Sequence, residues 1–226
     1  MTTTDEIKQK VAKHAAEFVL DGMTVGIGTG STARHLLYAL ADRIRQGLKF
    51  VGVPTSAQTL QQARELNIPM IELDEAETIH LAIDGADEIS PELNLIKGGG
   101  GAFLQEKMVA FAAQQFIVIA DESKMVDLLG KFHLPVEVVP YGLKRITQYI
   151  EALGCKKVLL RHRNNEIFIT DHGHYVLDCH FKTITDPQHL NEKLKEIPGV
   201  VENGLFLQMA DVAIIGYADG TVKPVY

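Results

Sequence analysis

Apolar residues return at Ile7, Val11, Ala15 and Phe18–Val19, the spacing of one helical face, and Thr3 and Glu6 stand ahead of them in capping-box spacing. Gly22 is expected to stop this helix. Thr24–Ile27 is a short run bounded by glycines and predicts a buried strand; a second amphipathic helix starts near Ser31 and carries Leu36, Leu37, Leu40 and Ile44. Strand, helix and strand follow at Phe50–Val53, Ala57–Leu66 and Met70–Leu73. Leu81–Ile83 and Phe116–Ala120 predict two more buried strands, with a helix from about Ala102 to Ala113 between them. Alternation at this length predicts an α/β fold, a Rossmann-like parallel sheet with helices on both faces.

From about Leu134 the pattern changes. Val136–Val139, helix Leu143–Leu153, Lys157–Arg161, Glu166–Thr170, Tyr175–Cys179, helix Pro187–Ile197 and Val200–Leu207 predict a smaller ferredoxin-like α+β domain. Val212–Ile215 is again fully apolar and can rejoin the first sheet. The expected division is therefore 1–131 with 208–226 as a discontinuous Rossmann-like catalytic domain, and 132–207 as the insertion.

Composition narrows the functional classes. Of the 226 residues 46% are hydrophobic and 23% charged, as in ordinary globular proteins. With 22 Lys and Arg against 29 Asp and Glu the net charge is −7, which argues against a protein built to grip nucleic acid. No apolar run approaches the roughly 18 residues of a membrane span, and the acidic start MTTTDEIKQK has no secretory pattern. Two cysteines, Cys155 and Cys179, are too few for a disulfide framework. The expectation is a cytoplasmic protein acting on a small metabolite, without a membrane or nucleic-acid partner.

Three segments follow predicted parallel strands, where open α/β sheets place their ligands. Gly26–Thr32 lies between a strand and a helix; the backbone amides of this turn, which includes Thr29 and Gly30, and the hydroxyls of Ser31 and Thr32 suit an anion. It lacks the third glycine of a dinucleotide fingerprint and the Lys of a Walker motif. The alternative is a tight turn with no ligand. Asp84-Gly85-Ala86-Asp87-Glu88 puts three acids in five residues, where mutual repulsion can raise a carboxyl pKa toward proton transfer. The bland reading is a solvated turn, and Glu88 reads better as the cap of a short helix. Lys97 with Gly98, Gly99, Gly100 and Gly101 leads into a helix carrying Glu106, about two turns in. Four glycines cost backbone entropy on folding, which asks for a reason, and one is a loop whose amides touch a ligand; Glu106 can then serve as base while Lys97 neutralises charge. A flexible hinge with a surface glutamate is the other reading.

Lys124, in Asp121-Glu122-Ser123-Lys124, adds a cation after another strand, and Lys8 can approach the first loop. His162, His172, His174 and His180 crowd the second part, but no set has zinc spacing. No metal and no organic cofactor are expected.

These motifs, in this order, resemble the ribose-5-phosphate isomerase type A family across essentially the whole chain. The resemblance is carried by Val25–Ala33, Asp84–Glu88, Ile96–Gly100, Glu106-Lys107, Ala120–Lys124, Leu129–Val138 and Ile197–Val201. Gly101 departs from the Ala often found there and would add flexibility before the helix. The resemblance implies reversible interconversion of ribose 5-phosphate and ribulose 5-phosphate in the non-oxidative pentose phosphate pathway. It implies that Glu106 moves the proton between C2 and C1 through an enediolate, and that Lys97 and the loop amides stabilise the oxyanion. Asp84 and Asp87 would assist ring opening and proton traffic, and Ser31, Thr32, Lys124 and Lys8 would hold the phosphate. It further implies a homodimer or homotetramer, with the second unit at the subunit contact.

Two alternatives remain open at this point. One is a CoA transferase or amino-sugar phosphate deaminase of related fold. The other is a sugar-phosphate-sensing domain of a regulator, which would need a DNA-binding element that this acidic chain does not display.

Overall fold

The computed structural model describes residues 3–226. Six α-helices are seen among them: α1 (Thr4–Ala16), α2 (Ser31–Arg45), α3 (Ala57–Glu65), α4 (Phe103–Ala112), α5 (Leu143–Ala152) and α6 (Pro187–Lys195). The chain divides into two compact units. The first runs to Ala86 and resumes over Gln105–Met125 and Met209–Tyr226; the second comprises Asp87–Leu104 and Val126–Gln208.

The first unit is built on a six-stranded sheet in the order Val222–Val225, Val212–Gly216, Phe116–Asp121, Leu81–Gly85, Thr24–Ile27, Val51–Pro54. All neighbours are parallel except the antiparallel edge strand Val222–Val225. Thr3 caps α1 in the expected capping box with Glu6. The sheet is covered on both faces. Ile27, Ile83, Ile117, Ile119 and Ile214 join Ile7, Val11, Leu36, Leu40 and Ala63 from α1, α2 and α3 in one core. The alternate residues point the other way. There Gly26 lets Val109 of α4 approach, since a Cβ at Gly26 would lie 2.4 Å from its Cγ1.

The strand order reverses beside Thr24–Ile27. The chain leaves this strand toward Val51–Pro54 on one side, then returns to place Leu81–Gly85 on the other. The carboxyl ends at such a reversal splay apart and leave a crevice.

The second unit carries a four-stranded antiparallel sheet in the order Val200–Asn203, Leu134–Val138, Tyr175–Cys179, Val158–Leu160. With α5 and α6 this is the fourth-first-third-second order of a ferredoxin-like unit. Val136, Val138, Ile146, Ile150, Leu177, Leu190 and Leu194 fill its core. Glu88–Ile89 and Leu95–Ile96 pair antiparallel, and Leu95–Ile96 pairs again with Leu205–Phe206. That small sheet holds residues 87–104 in the second unit, whereas the sequence division had assigned 87–104 and 126–131 to the first.

Several elements differ from expectation. α1 ends at Ala16, so Phe18–Val19 lie beyond it, with Val19 still in the core. Met70–Leu73 forms no strand; Met70 makes a single bridge to Gly52, and Leu73–Glu75 is a short 3-10 turn. Of the expected Glu166–Thr170 strand, Glu166–Ile167 pairs with His162–Arg163, and Ile169 makes a single antiparallel bridge to Tyr175. Val200–Leu207 is broken at Gly204, whose N–H turns to the Pro135 carbonyl and whose carbonyl accepts from Lys97 N–H.

Candidate active site

In the first unit the turn after Thr24–Ile27 is fastened from below. The Thr29 hydroxyl meets those of Thr55 and Ser56 at 2.8 Å each and Thr59 at 3.1 Å. Thr55 and Thr59 in turn donate to the Ile27 and Gly28 carbonyls, each at 3.0 Å. The Thr29 side chain is thus spent inside the protein, and its part in an anion site is to fix the turn. Sequence reasoning passed over Thr55, Ser56 and Thr59; the polar run closing the Val51–Pro54 strand was the available signal. Gly30 takes φ +115° at the N-cap of α2 and supplies no capping side chain. Ser31 and Thr32 open the helix, where amides lack intrahelical partners and the dipole favours an anion. Lys8 of α1 reaches this point: its Nζ donates to Ser31 Oγ at 2.9 Å.

Asp84 ends the neighbouring strand and is 3% exposed. Its Oδ1 accepts from the amides of Thr29 at 3.1 Å and of Gly85 at 2.7 Å. Gly28 makes the approach possible, because a Cβ there would stand 2.0 Å from Asp84 Oδ1. Glu106 is also buried. It lies in the first turn of α4, which starts at Phe103, and so closer to the helix start than the two turns expected. Because α4 runs down to the parallel strand Phe116–Asp121, its start belongs to the same sheet edge as the turn and Asp84. Lys124 closes a 3-10 turn directly after that strand. Asp121 caps this turn through Ser123 N–H at 3.1 Å, and Glu122 accepts from Ala218 N–H at 2.8 Å, so the turn is anchored at both ends.

In the second unit Asp87 accepts from Gly99 N–H at 2.8 Å. Lys97 is buried, with Nζ 5.4 Å from the centre of the Phe206 ring. The glycine run is ordered and does not act as a loose hinge. Gly101 N–H returns to the Gly98 carbonyl at 3.0 Å, and Gly101 sits at φ +87° with a Cβ position only 2.4 Å from the Phe168 ring. This glycine fits a left-handed turn against an aromatic ring, in place of the added flexibility expected of it. Arg161, which sequence reasoning did not single out, donates to the carbonyls of Gly98 and Gly99. Glu88 is no solvated cap: it is buried in a strand and accepts from Gly130 N–H at 2.7 Å and from Phe132 N–H. It organises the Leu129–His133 segment.

The expected site residues therefore fall in two groups. Thr29, Gly30, Ser31, Thr32, Lys8, Asp84, Gly85, Ala86, Glu106 and Lys124 lie in the first unit, and Asp87, Lys97, Gly98, Gly99 and Gly100 in the second. Among the described residues no group of three or more His, Cys, Asp or Glu is arranged to hold a metal ion. His174 is paired through Nδ1 with Glu137 at 2.9 Å. No helix among the described residues is long and apolar enough to cross a membrane.

Residues 51–220 match the family model of ribose 5-phosphate isomerase A (phosphoriboisomerase A). The chain belongs to this family. Ribose-5-phosphate isomerase A of Synechococcus sp. (strain JA-3-3Ab) is 52% identical over 223 residues, covering 97% of each chain. That of Ruegeria sp. (strain TM1040) is 49% identical over 231 residues, covering 99% of this chain and 88% of its own. A solved D-ribose-5-phosphate isomerase in complex with phospho-erythronic acid superposes with a TM-score of 0.95 at 41% identity, covering 98% of both chains. The ribose 5-phosphate isomerase A of Methanocaldococcus jannaschii gives 0.93 at 40% identity, covering 98% of this chain and 99% of that one. The α/β fold with a parallel sheet between helices is that of these isomerases.

Proposed function

We propose that this member of the ribose 5-phosphate isomerase A family interconverts D-ribose 5-phosphate and D-ribulose 5-phosphate by proton transfer through an enediolate. The observation that carries the reading is the carboxyl edge of the first unit's sheet. Two buried carboxylates, Asp84 and Glu106, occupy it together with a turn of amides and hydroxyls that Lys8 reaches at Ser31. Phosphate held by Ser31, Thr32, Lys8 and Lys124 meets the positive end of α2 and two ammonium groups. The open-chain aldehyde then offers its C2 hydrogen to Glu106. Glu106 removes that proton; the C2–H pair becomes the C1–C2 double bond and charge moves onto O1. The protonated Glu106 exchanges with solvent and delivers a proton to C1, O1 gains a hydrogen, O2 loses one, and the ketone results.

Lys97 and the amides of the Gly98–Gly100 loop stabilise the oxyanion, the Gly99 N–H bracing the loop through Asp87 while Gly100 donates; such donors act on charge that develops only during reaction. Asp84 and Asp87, with Gly85 and Ala86 shaping the backbone, assist ring opening and shuttle hydroxyl protons. The phospho-erythronic acid bound by the solved relative fits this scheme, since a carboxylate beside a phosphorylated chain imitates an enediolate. The same reading assigns the protein to the pentose phosphate pathway and the cytoplasm, without metal or organic cofactor, as a homodimer or homotetramer; light scattering tests the assembly.

The deciding assay incubates ribose 5-phosphate with the purified chain and a chelator in D₂O. Ribulose 5-phosphate labelled at C1 is the expected product. Absence of turnover, or activity restored only by a divalent metal, defeats the proposal.

A further inference from the structure

Arg161 is 8% exposed, follows the strand Val158–Leu160, and has no place in the scheme above. Its backbone is pinned, donating to Val176 O and accepting from Phe168 N–H, each at 2.9 Å. The guanidinium divides its donors between two partners in its own unit. Nε meets Oδ1 and Oδ2 of Asp178 at 3.1 Å each, and Nη2 also donates to Asp178 Oδ1. Nη1 turns the other way and donates to the Gly98 carbonyl at 2.8 Å and the Gly99 carbonyl at 3.3 Å. Arg163, stacked 4.4 Å from the Phe168 ring centre, adds a donor to the Gly100 carbonyl at 3.2 Å.

Three successive carbonyls of the glycine loop thus face two arginines. A trans peptide places its N–H opposite its C=O. The Gly98–Gly99 peptide is held at both ends, by Arg161 on its carbonyl and Asp87 on its N–H. In the next peptide the Gly99 carbonyl goes to Arg161, so the N–H of exposed Gly100 must point away from it. Glycine has more backbone freedom than any other residue, so this orientation needs an external cause. A guanidinium supplies one: it is planar, permanently charged and pre-organised, where a lysine offers a single point charge. Asp178 balances that charge and is itself met by His133 Nε2 at 3.2 Å.

We propose that Arg161 is a positioning residue for the isomerisation. It fixes the Gly98 and Gly99 carbonyls so that the Gly100 amide is presented to the oxygens on which charge develops. The inference rests on the assignment of the glycine loop to the active site. Arg161 touches no reacting atom; its contribution is the orientation of a donor before charge appears.

The test compares wild type, Arg161→Lys and Arg161→Ala on ribose 5-phosphate, each checked for native circular dichroism. Removing an oxyanion donor outright costs about 10²–10³ in kcat, so a mis-aimed donor is expected to cost Arg161→Lys about tenfold to a hundredfold in kcat with KM nearly unchanged. In Arg161→Ala, millimolar guanidinium is expected to raise kcat while sodium chloride at equal ionic strength does not. Wild-type kcat in Arg161→Lys overturns the inference, as does a loss confined to KM, or a folded Arg161→Ala that guanidinium does not rescue. Should Arg161→Ala fail to fold, the kcat of Arg161→Lys decides alone. A wild-type chain that does not isomerise ribose 5-phosphate defeats the functional reading itself and this inference with it, a result distinct from a variant that keeps wild-type turnover.

Discussion

Gly28→Ala tests the close packing of the first turn on Asp84. Gly28 is not in the left-handed region, so alanine meets no backbone objection there. The obstacle is steric. The new methyl would stand 2.0 Å from Asp84 Oδ1, 2.1 Å from its Cγ and 2.6 Å from its Cβ. Rotating a carboxylate tip cannot relieve all three, so the Asp84 side chain must move. Forcing an extra methyl into a packed site costs about 1–3 kcal/mol. Moving Oδ1 off one of its two amides adds about 1.5–3 kcal/mol for a hydrogen bond to a charged group. The restricted unfolded chain returns about 0.4–1 kcal/mol. The net is about 3 kcal/mol, which at roughly 2–4 °C per kcal/mol for this size gives a fall in Tm of about 6–12 °C. Differential scanning calorimetry should include Gly100→Ala, where a Cβ would meet nothing within 4 Å and φ is not left-handed. That variant should melt at or slightly above wild type. If Gly28→Ala melts within about 2 °C of wild type, less than 1 kcal/mol has been lost, and the packing argument fails.

Glu106→Gln should lower kcat by about 10²–10⁴ with little change in KM, and C1 labelling in D₂O should fall in step; more than about a tenth of wild-type kcat would place the base elsewhere. Lys124→Ala should raise KM for ribose 5-phosphate far more than it affects turnover of unphosphorylated ribose, and equal losses would show that it does not read the phosphate. Burial works to raise the Asp178 carboxyl pKa, but hydrogen bonds from His133 and Arg161 outweigh it and hold the group below the ordinary 3.8. Because the folded value is depressed, that stabilisation is complete above about pH 4–5 and is lost as pH falls below 3.8 through the folded value. Urea unfolding should therefore show wild type more stable than Asp178→Asn at pH 6, with the gap narrowing below pH 3.8; a pH-independent gap would refute the assignment.

The inner strands were legible because each is an unbroken apolar or β-branched run: Leu81–Ile83, Phe116–Ala120 and Val212–Ile215 needed no tertiary information. The edge strand Val222–Val225 was not, since Lys223 and Pro224, both exposed, interrupt the apolar pattern, and within sheets Pro is confined to edges, strand starts and bulges. Asp84, Lys97 and Glu106 stood out because acids, a lysine and glycines next to strand ends are costly without a use. Arg161 carries no such local mark, and the marks on Thr55, Thr59 and Glu88, a polar run and an acidic motif, do not tell their roles. The contacts that give these residues their roles, to Thr29, Gly28, Gly130 and Gly98, span 26 to 63 positions, so their meaning appears only when the chain closes. Glu88 is the plainest case: an acid that reads as solvated becomes buried once two distant amides supply the hydrogen bonds that water would have given.

The placement of Val212–Gly216 has a consequence for how the molecule is made. This strand lies in register on Phe116–Asp121, pairing Val212 with Ile117 across 95 positions of sequence. During synthesis at about 5–20 residues per second, the earlier strand waits roughly 5–20 s for its neighbour. Until then Ile117, Val118 and Ile119 form an unpaired parallel border, the kind of surface that recruits strands from other chains. The whole intervening stretch, including the ferredoxin-like unit, must leave the ribosome before that border is sealed. Nascent chains arrested anywhere between Asp121 and Val212 thus expose that border, and residues 212–225 are what closes it.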